Sequence, residues 1–194
     1  MMTRNPMQLK AHIKKMASEN NLSAQIVMQN YMMERLLERV SLSKYNENFI
    51  LKGGFLIAAI VGLKSRATMD LDTTIKGFEL THEKIRSIFD YICDIKIKDN
   101  VTFSVNRTTN IREVDDYPGI RVSLTASFPP LKVPITVDVT TGDKITPHEI
   151  EYNFRLMFDE RSILILTYNL ETILAEKLET VLSRNITNTR PRLL

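Results

Sequence analysis

Residues 66–75 read Arg-Ala-Thr-Met-Asp-Leu-Asp-Thr-Thr-Ile, and their alternation predicts a β-strand. Leu71 and Ile75 fall on one face of this strand, whereas Asp70 and Asp72 fall on the other. The two carboxylates then point the same way, about 7 Å apart by strand rise. Like charges this close repel unless a cation lies between them, and hard oxygen ligands suit Mg²⁺, which in enzymes usually also holds substrate phosphates. The alternative is a solvent-exposed strand face that carries two aspartates and no ligand.

A glycine turn precedes the acidic strand. Residues 52–63 read Lys-Gly-Gly-Phe-Leu-Ile-Ala-Ala-Ile-Val-Gly-Leu, which predicts a tight turn and then a short apolar helix that Gly62 can end. Because Gly53 and Gly54 have no Cβ, their backbone N–H groups can approach a phosphate closely, and a helix N-terminus favours an anion. Alone, the two glycines fit an ordinary loop equally well. Together with the strand that follows, they predict a two-part nucleotide site.

These motifs resemble the signature of the polymerase-β-type nucleotidyltransferases, and more narrowly the AbiEii/AbiGii branch of abortive-infection and type IV toxin–antitoxin toxins. The residues that carry the resemblance lie within roughly residues 48–190. They are Lys52-Gly53-Gly54, Arg66-x-Thr68-x-Asp70-x-Asp72 and Leu174-Ala-Glu-Lys177-Leu. The superfamily usually has Gly-Ser in place of Gly-Gly and a shorter gap before the aspartates; this departure fits the branch.

The resemblance implies a Mg²⁺- or Mn²⁺-dependent enzyme that transfers a nucleoside monophosphate from an NTP to an RNA acceptor such as the 3′ end of a tRNA. It also implies a cognate antitoxin encoded nearby. Asp70 and Asp72 are expected to hold the metal, and Lys52, Gly53 and Gly54 to contact phosphates. Two further residues of the motif are assigned to the nucleotide, and each has an alternative role. Arg66 could pair with phosphate or with Asp72, and Thr68 could bond a phosphate or a metal-bound water, or simply be a β-branched strand residue.

Asp138 is the candidate for a third carboxylate. It lies on the polar face of an otherwise apolar strand, residues 133–139, and in the nucleotidyltransferase fold such a strand brings a metal ligand or a base beside the first two aspartates. Asp143, in the sequence Thr-Thr-Gly-Asp, is the competing candidate, with turn formation as its simpler explanation. We favour Asp138, for which a surface position without function is the other possibility.

Lys177 is the candidate cation for the triphosphate. Helical spacing places it on one face with Ile173 and Val181, so its ammonium either extends to water or reaches a buried anion. The resemblance favours the second outcome, because this branch has a lysine in the matching helix that faces the triphosphate. A point positive charge there suits a leaving pyrophosphate.

Composition places the chain among globular proteins of one domain. The 194 residues are 43% hydrophobic and 25% charged, with a net charge of +3 that permits an RNA partner. No apolar run reaches the length of a membrane span, no secretory signal is recognisable, and the single Cys93 is expected to be buried and reduced. We therefore expect no membrane association and a bacterial cytoplasmic location. His12, His82 and His148 lack ligand spacing and are not assigned to a metal.

The pattern predicts an α+β fold in which helices pack on a mixed, nucleotidyltransferase-like β-sheet. We divide the chain into an N-terminal helical segment (1–48), a nucleotidyltransferase core (49–168) and the start of a C-terminal helical region (169–194). Ser23 and Thr81 are expected to cap helices, and period-two alternation predicts strands between about 100 and 140. The last helix is expected to begin at Asn169.

The C-terminal helical region looks shortened. Members of the family typically continue with an acidic motif that helps to complete the site, and this motif is absent from residues 169–194. Two functions therefore stay open: an active nucleotidyltransferase toxin, or a shortened, non-catalytic member that binds NTP or an antitoxin.

Overall fold

The computed structural model describes residues 5–62, 68–111 and 119–187, which form five helices and one seven-stranded sheet. The helices are α1 (Pro6–Asn20), α2 (Ala24–Leu42), α3 (Gly53–Val61), α4 (His82–Asp94) and α5 (Leu170–Thr187). The strands are β1 (Phe49–Lys52), β2 (Asp70–Ile75), β3 (Thr102–Asn110), β4 (Gly119–Phe128), β5 (Leu131–Thr141), β6 (Ile150–Arg155) and β7 (Ser162–Thr167). The predicted α+β class is confirmed.

The sheet is mixed, with the strand order β3-β4-β5-β2-β1-β7-β6. β4 pairs antiparallel with β3 and β5, and β2 joins β5 in parallel and β1 in antiparallel orientation. β1 runs parallel to β7, whose outer neighbour β6 is antiparallel. Strands β2 to β5 follow the predicted alternation, whereas β1, β6 and β7 were not predicted. The acidic strand β2 lies at the centre of this sheet.

One face of the sheet is apolar and carries helices α2 and α4. Alternate residues of β4, such as Val122 and Leu124, are buried there beside Val137 of β5. Burial of each such side chain contributes roughly 1.5–3 kcal/mol relative to exposure. Since strand side chains alternate, this packing leaves Asp70, Asp72 and Asp138 on the opposite, polar face.

The predicted caps fix the helices against the apolar face. Ser23 Oγ accepts a hydrogen bond from the Ile26 N–H at 3.2 Å, and Thr81 Oγ1 accepts one from the Lys84 N–H at 3.2 Å. Caps of this kind contribute about 1 kcal/mol each. Both predicted helix starts are confirmed.

Helix α2 also carries a buried group of charges. Arg35 pairs with Glu34 at 2.5 Å and with Glu38 at 2.7 Å, and Arg39 binds both oxygens of Asp99. Glu34 additionally accepts a hydrogen bond from the Met157 N–H at 2.6 Å. Buried charges require such partners, because an unpaired one would remain desolvated at a cost of several kcal/mol.

Helix α5 begins at Leu170 and is capped by Asn169, whose side chain accepts a hydrogen bond from the Thr172 N–H at 2.8 Å. Of its apolar residues, Ile173 is buried, whereas Leu174 and Leu178 are each 60% exposed. The apolar face of this helix is therefore only partly packed on the core. No helix of the described chain is long and apolar enough to cross a membrane.

Candidate active site

Asp70 and Asp72 lie on the same face of β2, as the alternation predicted. Both are half-buried, whereas Leu71 and Ile75 between and beyond them are buried on the opposite face. Burial, reinforced by the negative charge of Asp138, raises the pKa of both carboxyl groups above the ordinary value. The two aspartates therefore form a cluster in which negative charge is disfavoured without a cation.

Asp138 is the third member of this cluster. β2 and β5 are parallel neighbours, and their register pairs Asp72 directly with Asp138 and Asp70 with Thr136. Neighbouring strands lie about 4.8 Å apart, so in-register side chains on one face are adjacent. The structure thus brings together the three carboxylates that the sequence nominated.

Arg121 of β4 accompanies Asp138 and was not predicted. Its Nε lies 2.8 Å from Oδ1 of Asp138 and its Nη2 lies 2.7 Å from Oδ2, so both carboxylate oxygens accept from one guanidinium. A sequence signal for this pair does exist. Pro129 and Pro130 form a two-residue turn between β4 and β5, and the register that this turn sets pairs residue 121 with residue 138.

The glycine turn lies directly against Asp72. Gly53 has a φ of +67°, and a Cβ on it would lie 2.1 Å from Oδ2 of Asp72, so no side chain fits at this position. The Gly54 N–H donates to the same oxygen at 3.4 Å, at the N-terminus of α3. The turn therefore directs the Gly54 N–H toward the carboxylate cluster.

Lys52 points into an anionic pocket beside the cluster. It is the ladder partner of Asp72, but its Nζ lies 2.6 Å from Oδ2 of Asp143. The hydroxyls of Tyr168 and Thr140 each donate to the same oxygen at 2.8 Å. Burial alone would raise the pKa of Asp143, but the hydrogen bond and charge of Lys52 outweigh it and hold that pKa below the ordinary value. Asp143 is thus a fixed counter-ion of Lys52.

Helix α5 contributes Glu176 to this group of charges. Its carboxylate lies 3.9 Å from Nζ of Lys52, and burial raises its pKa. Lys177, the next residue, is exposed, and its positive charge acts on Glu176. The predicted contact of Lys177 with a triphosphate stays a prediction.

Thr68 lies just before β2 rather than within it. Its hydroxyl donates to the backbone oxygen of Asp70 at 3.3 Å, and its own carbonyl accepts from Asn30 Nδ2 at 2.9 Å. Thr68 therefore fixes the entry to the acidic strand. Arg66, the other candidate in this segment, lies outside the described residues.

The carboxylates of Asp70, Asp72 and Asp138 are ligands of a kind that suits a divalent cation, although they are not arranged as a complete metal site. Three carboxylates supply hard oxygen ligands of the kind Mg²⁺ prefers, and burial together with the charge of Asp138 raises the pKa of Asp70 and Asp72. Within residues 5–62, 68–111 and 119–187, no group of three or more His, Cys, Asp or Glu side chains is arranged to hold a metal. Both oxygens of Asp138 accept hydrogen bonds from Arg121.

Comparison with protein families gives a match to the model described as "Nucleotidyl transferase AbiEii toxin, Type IV TA system", over residues 35–192. The chain belongs to this family. The match includes the glycine turn, all three aspartates and helix α5, so the family assignment covers the whole candidate site. The resemblance stated from the sequence motifs is confirmed.

Solved structures include two similar proteins of Helicobacter pylori. One is described as a proposed nucleotidyltransferase, with 15% identity and a TM-score of 0.49 over 81% of this chain and 59% of the other. The second, JHP933, has 14% identity and a TM-score of 0.47 over 81% of this chain and 57% of the other. The chain therefore spans less than two thirds of the length of these relatives. A search of curated proteins returned no match.

Proposed function

We propose that the protein transfers a nucleoside monophosphate from an NTP to an RNA acceptor in a Mg²⁺-dependent reaction. The observation that carries this proposal is the register of β2 and β5, which aligns Asp72 with Asp138 beside Asp70. The glycine turn, whose Gly54 N–H donates to Asp72, supplies the second half of a nucleotide site in this proposal. Family membership supports the same reaction class.

Asp70, Asp72 and Asp138 would hold Mg²⁺, or Mn²⁺ in its place. Such an ion, when bound, would supply positive charge that offsets the negative charge of the phosphates during transfer. Asp138 would complete this donor set or accept the proton of the attacking hydroxyl, and Arg121, which holds both of its oxygens, would compete with either role. A guanidinium displaced from Asp138 would be available to a phosphate, for which its planar fork is suited.

The phosphates are held by the residues around the turn. Gly53 and Gly54 offer backbone N–H groups at a helix N-terminus, and Lys52 adds a positive charge next to Asp72. Lys177 and Arg66 are the further cations that we assign to the nucleotide, and Thr68 is assigned to it through its hydroxyl. The RNA acceptor is, in this proposal, the 3′ end of a tRNA, and the toxin acts in the bacterial cytoplasm with a cognate antitoxin as its partner.

The carboxylates are tested by single Asn variants. Asp70→Asn and Asp72→Asn are expected to abolish Mg²⁺-dependent NTP binding, measured by calorimetry, and label transfer from an α-labelled NTP to RNA. Asp94→Asn, an exposed aspartate on α4, makes the same chemical change away from the site and is the matched control. Parental NTP affinity in the two site variants would overturn the metal assignment.

Lys177 is tested by Lys177→Met, which keeps the length of the side chain and deletes its charge. A phosphate-binding lysine should lose about 1.5–3 kcal/mol of NTP affinity and leave binding of the bare nucleoside unchanged. Lys10→Met on α1 is the control, because Lys10 is also exposed and lies on another helix. Unchanged NTP affinity would exclude Lys177 from the site.

A second function is a non-catalytic module that binds NTP or an antitoxin. The ion pair between Arg121 and Asp138 favours it, since this pair already neutralises the charge of the third carboxylate. Mg²⁺-dependent NTP binding without any label transfer would select this module over the enzyme.

A further inference from the structure

The sheet face that carries the three carboxylates extends across β5, β4 and β3, with one register shift in β3 between Val105 and Arg107. The register places Asp70, Thr136, Ser123 and Arg107 in one row across four neighbouring strands. A second row pairs Thr125 of β4 with Ser104 of β3. We call this surface of β3, β4 and β5 the polar sheet face; Arg107, Lys132, Ser104, Ser123, Thr125 and Thr136 define it.

The polar sheet face is open and carries positive charge. Ser104, Arg107 and Lys132 are exposed, and α2 and α4 pack on the opposite side of the same strands. Within the described residues of β3, β4 and β5, the only carboxylate is Asp138, and it is already paired with Arg121. On the described residues of β3, β4 and β5 the face therefore carries the unpaired positive charges of Arg107 and Lys132 next to the carboxylate cluster of β2 and β5.

The chemistry of the face fits nucleic acid better than an acidic protein. Stable protein interfaces have an apolar or aromatic centre, whereas this face consists of short hydroxyl side chains between cations. Arg, Lys, Ser, Thr and Asn are the side chains that contact phosphate and sugar oxygens. Because the described residues of the polar sheet face include no aromatic side chain on which bases could stack, binding should depend on the backbone and on salt rather than on sequence.

We propose that the polar sheet face binds the acceptor RNA strand by its phosphates and directs its 3′ end to Asp138. Lys132 and Asp138 are on the same face of β5, six residues and so about 20 Å apart, which is long enough for several nucleotides. The inference rests on the proposed function for its substrate class. To that function it adds the path of the acceptor RNA, which runs along β5 and across β4 to Arg107 on β3.

The test is binding of a fluorescein-labelled, single-stranded 12-nucleotide RNA of mixed sequence, measured by anisotropy without metal or NTP. Arg107→Ala/Lys132→Ala is expected to weaken binding about tenfold near 0.1 M salt and to reduce the slope of log K against log[salt] by about 1.4, the loss of two phosphate contacts. Lys10→Ala/Lys14→Ala removes the same charge from exposed positions of α1 and should change affinity less than twofold. Arg107→Glu is a second variant for the same RNA-binding measurement, and circular dichroism checks that each variant is folded.

Three results would overturn the proposal: unchanged RNA affinity in Arg107→Ala/Lys132→Ala, a larger loss in the α1 control, or no RNA binding by the parent. Equal competition by a 12-residue polyglutamate peptide would also overturn it and would assign the face to an acidic protein. Asp72→Asn separates this inference from the proposed function. It should lose NTP binding and keep RNA binding, so failure at either site is recognised independently.

Discussion

Arg121 binds both carboxylate oxygens of Asp138, at 2.8 Å from Nε and 2.7 Å from Nη2. The pair links β4 to β5 at the ladder position next to Asp72. Its guanidinium supplies the positive charge that three clustered carboxylates require in the absence of a metal ion. Because Arg121 takes the place of a cation beside Asp138, we expect it to compete with Mg²⁺ for this carboxylate.

Arg121→Gln is therefore expected to strengthen Mg²⁺ binding to the nucleotide-free protein. Because the arginine is nearly half exposed, the gain should be modest, about two- to fivefold, which corresponds to ~0.4–1 kcal/mol. Isothermal titration calorimetry measures it. Arg86→Gln, which removes an exposed partner of Asp90 on α4, is the control and should have no effect. Weaker Mg²⁺ binding in Arg121→Gln would mean that the arginine organises the site instead of competing for it.

Substitution by Asn is expected to lower the free energy of unfolding at Asp143 but not at Asp72. Asp143→Asn removes the nearer counter-ion of Lys52, which is only 13% exposed, leaves Glu176 at 3.9 Å, and should lower the free energy of unfolding by about 1.5–3 kcal/mol. Asp72→Asn removes one of several repelling carboxylates and should leave stability unchanged or raise it by up to ~1 kcal/mol. Urea denaturation measures both.

The double variant Asp143→Asn/Lys52→Met tests the cause of the Asp143 effect. If the loss comes from an uncompensated charge on Lys52, removing that charge should restore most of the stability. A double variant as unstable as Asp143→Asn alone would show instead that the hydrogen bonds from Tyr168 and Thr140 dominate.

Local patterns were sufficient to predict the central strands and the helix caps. The alternation around Asp70 and Asp72 predicts β2 because one face is buried and the other polar, and Ser23 and Thr81 are recognised by residue type and position. β1 was missed because its four residues form a short apolar run that continues into a helix. Such a run cannot be distinguished from a buried helix segment by periodicity.

The contacts of the site depend on strand pairing, which local patterns do not contain. Lys52 was assigned to a phosphate, but its partner Asp143 lies 91 residues away and reaches it only through the folded sheet. Glu176 was overlooked because its position beside Lys52 depends on how α5 follows β7. Arg121 could have been found, since the Pro129–Pro130 turn fixes the hairpin register that places it opposite Asp138.

Gly53→Ala should weaken both folding and nucleotide binding, because its Cβ would displace the carboxylate of Asp72. Gly62→Ala is the matched control: Gly62 also has a positive φ, of +91°, but among the described residues no atom beyond its chain neighbours lies within 4 Å of the Cβ position. Both variants carry backbone strain of about 1–3 kcal/mol. Only Gly53→Ala should lose Mg²⁺-NTP affinity in calorimetry, and equal NTP affinity in the two variants would contradict a role for the turn in positioning Asp72.

Glu34 should make stability depend on pH. Burial raises its pKa from 4.5 to about 7 even though Arg35 and the Met157 N–H stabilise the charged form. The folded state then binds the proton more tightly than the unfolded state, so this contribution to stability is complete below pH 4.5 and is lost as the pH rises through 7. Between pH 5 and 7.5 the loss is about 2 kcal/mol. Glu34→Gln keeps a carbonyl acceptor for Met157 but cannot titrate. Urea denaturation across this range should therefore show the free energy of unfolding of Glu34→Gln rising relative to that of the parent as the pH increases. A difference that stays constant with pH would mean that the pair with Arg35 is ionised throughout.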